Sequence, residues 1–590
     1  MYTNEEHILI LLSLLKAHNV RHIVVSPGST NIPISGSVQN DSYFIVHSCV
    51  DERSAAYIAI GLSEKLGEPV ALSCTGATAS RNYLPGLTEA FYRKIPIVAI
   101  TGYNGSRVNG HLVPQNIDRS ILPKDVAQVS VELPCIKNDD DRWFCSVQIN
   151  KALIELRKNG CGPVHINFAS QYTGQFDVKS LPSVRDVAYF QKIEDIPKTS
   201  LKKIAVFIGS HKIFSKEEVT AIGEFSLKHG IPILTDSTSN YFGYGAIKGS
   251  LVSGNFGLLN ENWKAAKPEL VIHLGEVSGD YYTSRVLQEA KEVWRLTNDG
   301  IMRDTGRKLR YLLDITTENF FSRMKFDEAE DLLSTWVKLD SHLRDLINNL
   351  PFSNVWMAQQ LSQRLDKELH LYFAILNSLR SWNFFLFDCL SVSSNVGGFG
   401  IDGCLSTAIG GALGDPTNMH LLVIGDLAFF YDMNSLANRH LPPNLRIILI
   451  NNGCGVEFNN KTHIASKLDF SADELISAGG HFNSSENGSS VISPPAVRLK
   501  NSIVSSYCKN LGFEYKSALK KNDFLECLED FLIQSDRPKL IECFTDVESE
   551  SNALEYMLNL DRSGKEKIYK TVKDYVPSKL LNKAKKVVKR

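Results

Sequence analysis

Two polar turns, Gly425-Asp426 and Asn451-Asn452-Gly453, hold the side chains best suited to chemistry. Each follows an apolar run of strand character, Leu421 to Ile424 and Ile447 to Ile450. Between them Met433, Leu436 and Ala437 fall at helical spacing before Pro442-Pro443 closes the segment. Strand, helix and strand in this order make a parallel pair, whose carboxyl ends share the sheet edge where open α/β sheets bind ligands. Asp426 and Asn452 then stand side by side. A carboxylate and an amide oxygen, helped by a main-chain carbonyl, are hard ligands for a small divalent cation such as Mg2+, which keeps phosphate oxygens in its shell. The expected ligand is therefore a Mg2+-bound diphosphate. Either turn alone would be an ordinary feature of a sheet.

The elements that must position these groups form three blocks. Residues 1–190 open with an amphipathic helix and a strand, Ile23 to Val25, that runs into Pro27-Gly28-Ser29. Further strands around Phe44 to Val46, Val70 to Ser73 and Ile97 to Ile100 alternate with helices. Glu52 stands where the second strand gives way to a helix, a place where a carboxylate is often only a first-turn dipole partner. Residues 200–335 repeat the pattern, with strands in KKIAVFIGS, IPILTD and LVIHLGE and a helix over Lys216 to His229. No GxGxxG follows these strands, so dinucleotide binding is not supported there. The third block, 350–550, carries the metal-type turns and a glycine-rich turn entering a small-residue helix, SSNVGGFGIDGCLSTAIGGALG. It ends in a KLIECFTD strand and an acidic turn, VESES. The fold class is α/β, with three doubly wound, mainly parallel sheets.

At 590 residues with 43% hydrophobic content, the chain can fill several cores. A net charge of -1 gives no global field for nucleic acid or an anionic membrane, so neither is expected as a partner. Eleven cysteines without a CxxC pair fit reduced thiols in the cytoplasm. The early apolar stretch from Ile8 to Leu15 is too short for a bilayer span and follows acidic Glu5 and Glu6, so neither signal peptide nor anchor is expected.

The GD…NN pair, with 23 residues from Ala428 to Ile450 between GDL and NN, resembles the signature of thiamine diphosphate enzymes. So do SPGS, DERSAAYIAIGL, CTGATASRNYLPGLTEAFY and PQNID in the first block. These segments look most like the menaquinone-pathway carboligases that add a succinyl semialdehyde unit to isochorismate. The resemblance implies thiamine diphosphate and Mg2+ as cofactors, with Asp426, Asn452 and the Cys454 carbonyl on the metal. It assigns Gly425, Leu427, Ala428, Asn377, Ser378, Pro27, Gly28, Thr75 and Asn82 to the cofactor's surroundings; the Thr75–Thr78 turn and Asn82 could equally be structural. Glu52 is implied to meet the aminopyrimidine ring, where a carboxyl in an apolar pocket can share a proton with a ring nitrogen. Gln115 matches a glutamine near the reacting carbon; His111 could donate a proton there or be a plain surface histidine. In the family the glutamate of one subunit meets the cofactor held by another, which implies a homodimer or homotetramer.

Four positions aligned with substrate-binding arginines of the menaquinone enzymes hold Thr30, Asn104, Val396 and Leu413. Guanidinium forks suit carboxylates. Their loss leads to the expectation of a carboligase that takes a 2-oxoacid donor and an unidentified acceptor but does not perform the menaquinone-pathway reaction. Simple 2-oxoacid decarboxylation is the alternative, and a non-catalytic binding protein on the same fold is a third reading. Glu457 stands near where other decarboxylases carry a proton-handling glutamate, one residue out of step, and is equally readable as structural. Residues 471–495, rich in Ser, Gly and Asn, are expected to form a lid. Residues 551–590 are expected to form a basic helical tail, packing on a neighbouring subunit rather than touching membrane or nucleic acid.

Overall fold

The computed structural model describes residues 1–561 except 120, 173, 256–259, 366, 462, 469 and 481–491. Residues 481–491 of the loop expected to be a lid, and the tail beyond 561, lie outside the described residues. The strands form three sheets of six, seven and six strands, as expected for an α/β chain. The residues fall into two compact units, Met1–Gln191 with Asp299–Asp314, and Lys192–Asn298 with the remainder.

In the first unit, β1 (His22–Val25), β2 (Ile45–Ser48), β3 (Val70–Cys74), β4 (Ile97–Tyr103), β5 (Ser130–Leu133) and β6 (Val164–Ala169) lie in the order β2-β1-β3-β4-β6-β5. All their pairings are parallel. The side chains alternate between two cores: Ile23, Val25, Ala71, Val98 and Ile100 enter one, and Val24, Val70, Leu72, Cys74, Ile97 and Ala99 the other. Both faces are apolar because helices cover both, which is why these strands read as continuous hydrophobic runs. The opening helix, Glu6–Ala17, is less amphipathic than expected, since every residue from His7 to Leu15 is buried.

The second unit begins with parallel strands β8 (Ile204–Ile208), β9 (Ile233–Thr235), β10 (Ala246–Lys248), β11 (Leu270–Leu274) and β12 (Glu292–Thr297), following a short β7 (Ala188–Phe190) in the first unit that pairs with β13 (Leu309–Asp314). The helix Lys216–His229 has the expected bounds, set by a Ser215/Glu218 capping box and a left-handed Gly230. The last six strands are β14 (Leu369–Phe373), β15 (Ser391–Ser393), β16 (Met419–Gly425), β17 (Leu445–Asn451), β18 (Glu514–Ala518) and β19 (Lys539–Phe544). Their order, β15-β14-β16-β17-β19-β18, repeats that of the first sheet.

Two local expectations need correction. The helix between β16 and β17 starts at Asp426 itself and runs to Asp432, and Met433–Ala437 is a separate 3-10 turn. VESES is the opening of a helix, Val547–Met557, rather than a turn. Asp546 caps it by accepting from Ser549 N at 2.7 Å, and acids in a first turn favour the helix dipole.

Candidate functional site

In each outer sheet the first strand lies between the second and the third, so the connections after it leave in opposite directions. A crevice opens at the carboxyl ends there, the usual ligand position in such sheets. Asp426 follows β16 at this point of the third sheet and Asn82 lies after β3 in the first, whereas Glu52 follows the edge strand β2, and His111 and Gln115 follow β4.

In the second unit, register sets the metal loop. Gly425 pairs with Ile450 across β16 and β17, so the residues that follow each strand emerge together. Asp426 is 1% exposed; its carboxylate accepts from Leu427 N at 2.8 Å and from Gly453 N at 2.6 Å. Asn452 Oδ1 accepts from Cys454 N at 3.2 Å, and both residues are buried. Gly453 has φ +85, and a Cβ on it would lie 2.8 Å from Ile492 Cγ2, so glycine is required at this turn. Asp426, Asn452 and the Cys454 carbonyl offer oxygen only, the donor set of Mg2+. Burial pushes the Cys454 thiol up, so it is a neutral side chain behind its carbonyl rather than a thiolate ligand.

Acids crowd this loop. Glu542 is buried, accepts from Asn451 Nδ2 at 2.7 Å, and has its carboxyl raised by burial. Glu550 is pushed by burial to about 7, with Asp546 and Asp426 adding to the rise. Arg498 answers part of this charge, donating to the Asn451 carbonyl at 3.1 Å. A divalent cation beside Asp426 would relieve the remaining negative potential, so the residues present fit one.

Asn377 and Ser378 begin the short helix that follows β14, after Leu376 in a left-handed conformation at φ +69. Such strain in a non-glycine residue persists where the surroundings hold it, often at a site. The Asn377 amide makes no hydrogen bond among the described residues. Glu457, expected either to move protons or to be structural, is held by Arg380: Nη1 lies 2.6 Å from both of its oxygens. Asn460 Nδ2 donates to Glu457 at 3.1 Å, and Arg380 lies over the Tyr281 ring at 5.3 Å.

In the first unit, Glu52 opens the helix Glu52–Leu66, capped by Asp51, and accepts from Asn82 Nδ2 at 3.1 Å. The two residues expected at the cofactor ring are thus brought together, with Glu52 half-buried. Gly28 packs so closely on Thr75 that a Cβ would come within 2.3 Å of the threonine Cβ. Thr75 Oγ1 lies 2.6 Å from Thr30 Oγ1. Pro27, Gly28, Thr75 and Asn82 therefore border the end of β1 and β3. The Gln115 carbonyl approaches Gly76, and Gln115 itself has φ +60. His111 is exposed and makes no side-chain hydrogen bond among the described residues.

Arg380, Arg498, Glu542 and Glu550 went unnoticed in the sequence, since no motif spacing marks them. Arg119 joins them: it is 4% exposed, and its Nε and Nη1 have no acceptor among the described residues. Burial pulls its guanidinium down to about 10.

These features, two matching sheets with an acid after a strand of one and an oxygen-lined loop at the switch point of the other, define a thiamine diphosphate type of enzyme. Residues 9–122 match the family described as "Thiamine pyrophosphate enzyme, N-terminal TPP binding domain". The chain belongs to the thiamine diphosphate-dependent enzyme family.

Its relatives include proteins named 2-succinyl-5-enolpyruvyl-6-hydroxy-3-cyclohexene-1-carboxylate synthase. The one from Bacteroides fragilis is 32% identical over 482 residues, covering 78% of this chain and 85% of that protein. That from Bacteroides thetaiotaomicron is 30% identical over 80% and 86%, and that from Phocaeicola vulgatus 28% identical over 94% and 98%. This overturns the exclusion of the menaquinone-pathway reaction drawn from Thr30, Asn104, Val396 and Leu413. Physically, four substitutions remove four particular guanidinium groups and say nothing of the other groups along the chain that can hold a substrate. No helix among the described residues is long and apolar enough to cross a membrane.

Proposed function

We propose that this protein makes 2-succinyl-5-enolpyruvyl-6-hydroxy-3-cyclohexene-1-carboxylate, acting as a Mg2+- and thiamine diphosphate-dependent carboligase on a 2-oxoacid donor, 2-oxoglutarate, and isochorismate as acceptor. The observation that carries the cofactor reading is the buried Asp426 carboxylate tied to Gly453 N beside Asn452 at a sheet switch point. Bound there, the cofactor supplies the carbon nucleophile that adds to the 2-oxoacid carbonyl and takes up the electrons released with CO2.

The chain's own groups have separate tasks in this reading. Asp426, Asn452 and the Cys454 carbonyl hold the metal and through it the diphosphate; Gly425, Leu427 and Ala428 shape the loop. Asn377 and Ser378 contribute at the start of their helix. Glu52, oriented by Asn82, holds a proton at the aminopyrimidine ring; Pro27, Gly28 and Thr75 shape the surrounding wall. Gln115 and His111 serve the reacting carbon, and Glu457 either handles protons or holds Arg380 in place. We carry over the homo-oligomer that the family resemblance implies, and place the protein in the cytoplasm because its eleven cysteines are all unpaired thiols.

The test is direct. Purified protein with thiamine diphosphate and Mg2+ is given 2-oxoglutarate and isochorismate; CO2 and the ligated product are followed together by mass spectrometry. Equal amounts of both support the reading. Cofactor binding by calorimetry with no product, or with CO2 and free aldehyde only, overturns it.

A further inference from the structure

We propose that His370, Asp415 and His420 form a second divalent-cation site, for a zinc-like or late transition metal, at the end of the third sheet opposite the Asp426 loop. The two histidines are register partners on adjacent parallel strands, β14 and β16. Their rings stack with centroids 4.7 Å apart. Five residues of β16 separate His420 from Gly425, about 16 Å at the usual strand rise, so this cluster is distinct from the metal loop. Asp415 follows the helix Cys404–Gly414 and turns back to the strand ends.

One ligand atom from each of the three residues lies within 4.8 Å of the others. His370 Nε2 is 3.1 Å from Asp415 Oδ2, and His420 Nε2 is 3.0 Å from the Asp415 carbonyl oxygen. Ligands on a tetrahedral zinc ion with bonds of about 2.1 Å sit roughly 3.4 Å apart, so three ligand atoms within 4.8 Å of one another need only a small contraction to share a cation. The other ring nitrogens are held from outside: His370 Nδ1 by Ser391 Oγ at 2.6 Å, His420 Nδ1 by the Tyr372 hydroxyl at 3.2 Å. Each hydroxyl can accept or donate. The Nε2 protons directed at Asp415 can therefore shift to Nδ1, and one cation can take their place, the outer-shell arrangement of metal-bound histidine.

The carboxylate is fixed in the same way, by Asn418 Nδ2 at 2.8 Å and Thr417 Oγ1 at 2.6 Å. Those bonds hold the carboxyl well below the usual carboxylate range, and burial lowers His420. Asn444 Nδ2 donates to the Asp415 carbonyl at 3.0 Å. A cavity of about 380 Å³ is walled by residues next to the ligands in sequence, among them Leu369, Pro416 and Met419.

The test uses Co2+ as a spectroscopic probe on the full-length protein, stripped with chelator and then saturated with thiamine diphosphate and excess Mg2+. One equivalent of Co2+ with visible d–d bands is expected in the wild type. His370→Gln and Asp415→Asn should each weaken it about 100-fold or more, with circular dichroism unchanged. Two variants are used because either alone could disturb the strand ends. Asp426→Asn should leave the bands in place; if the bands vanish there and persist in His370→Gln, the Co2+ occupied the cofactor loop and the proposal fails. It also fails if the wild type binds no Co2+ under these conditions, or if His370→Gln and Asp415→Asn bind as the wild type does.

Discussion

Glu457→Gln should destabilise the second unit substantially, because it strands a guanidinium. The Arg380 side chain is 8% exposed and that of Glu457 16%, and every hydrogen bond to the guanidinium among the described residues runs through Nη1 to Glu457. Arg380 Nε is buried without an acceptor among the described residues. Burial works against the Arg380 charge, and the Glu457 carboxylate outweighs it. Removing one partner of such a pair costs about 3–5 kcal/mol, whereas replacing both with apolar groups is often neutral. The residual exposure of Glu457 puts the expected loss near the lower figure, about 3 kcal/mol. At roughly 1–2 °C per kcal/mol for a unit larger than 250 residues, the second-unit transition should fall by about 3–6 °C in calorimetry. Arg380→Met with Glu457→Leu should recover most of that. A loss under about 1 kcal/mol for Glu457→Gln, with no recovery in the double variant, would refute the reasoning, since it would mean the guanidinium is solvated or re-paired.

Asp426→Ala removes a metal oxygen and leaves Gly453 N–H buried without its acceptor. It should cost about 1–3 kcal/mol of stability and abolish Mg2+-dependent thiamine diphosphate binding in titration calorimetry. Gly453→Ala meets both the positive φ and the Ile492 contact and should lose more than about 1 kcal/mol in urea unfolding. Glu550 has a folded-state pKa raised from 4.5 to about 7 by burial. The folded state then binds a proton that the unfolded chain gives up, so this contribution to stability is full below about 4.5 and is lost as pH rises to 7, by ~3 kcal/mol at most. Glu550→Gln should flatten that slope in metal-free protein, measured by unfolding at pH 5 and pH 8; an unchanged slope counts against a buried, protonated Glu550.

The strands, their parallel sense and the turns that follow them were readable because they depend on local signals. Apolar runs ending in Gly425-Asp426 and Asn451-Asn452-Gly453 state both the strand and its carboxyl-end turn, and the Ser215/Glu218 box states a helix start. Asp426 beside Asn452 followed once parallel strands fixed which ends meet, whereas the roles of Glu52 and Asn82 came from the family resemblance. The start of the helix at Asp426 was missed because the apolar spacing around Met433 marks the later 3-10 turn, and VESES read as a turn because acids mark both loops and helix starts.

What the sequence by itself determined is the alternation of strand and helix and the two motif-bearing ends, since hydrophobic period and turn chemistry act over a few residues. Only the tertiary structure decided that Arg380 meets Glu457, that His370 stacks on His420, and that Glu550 is buried with its carboxyl raised. The two pairs join residues 77 and 50 positions apart, and the third feature depends on burial. They are set by strand order and register, which no local pattern of residues specifies.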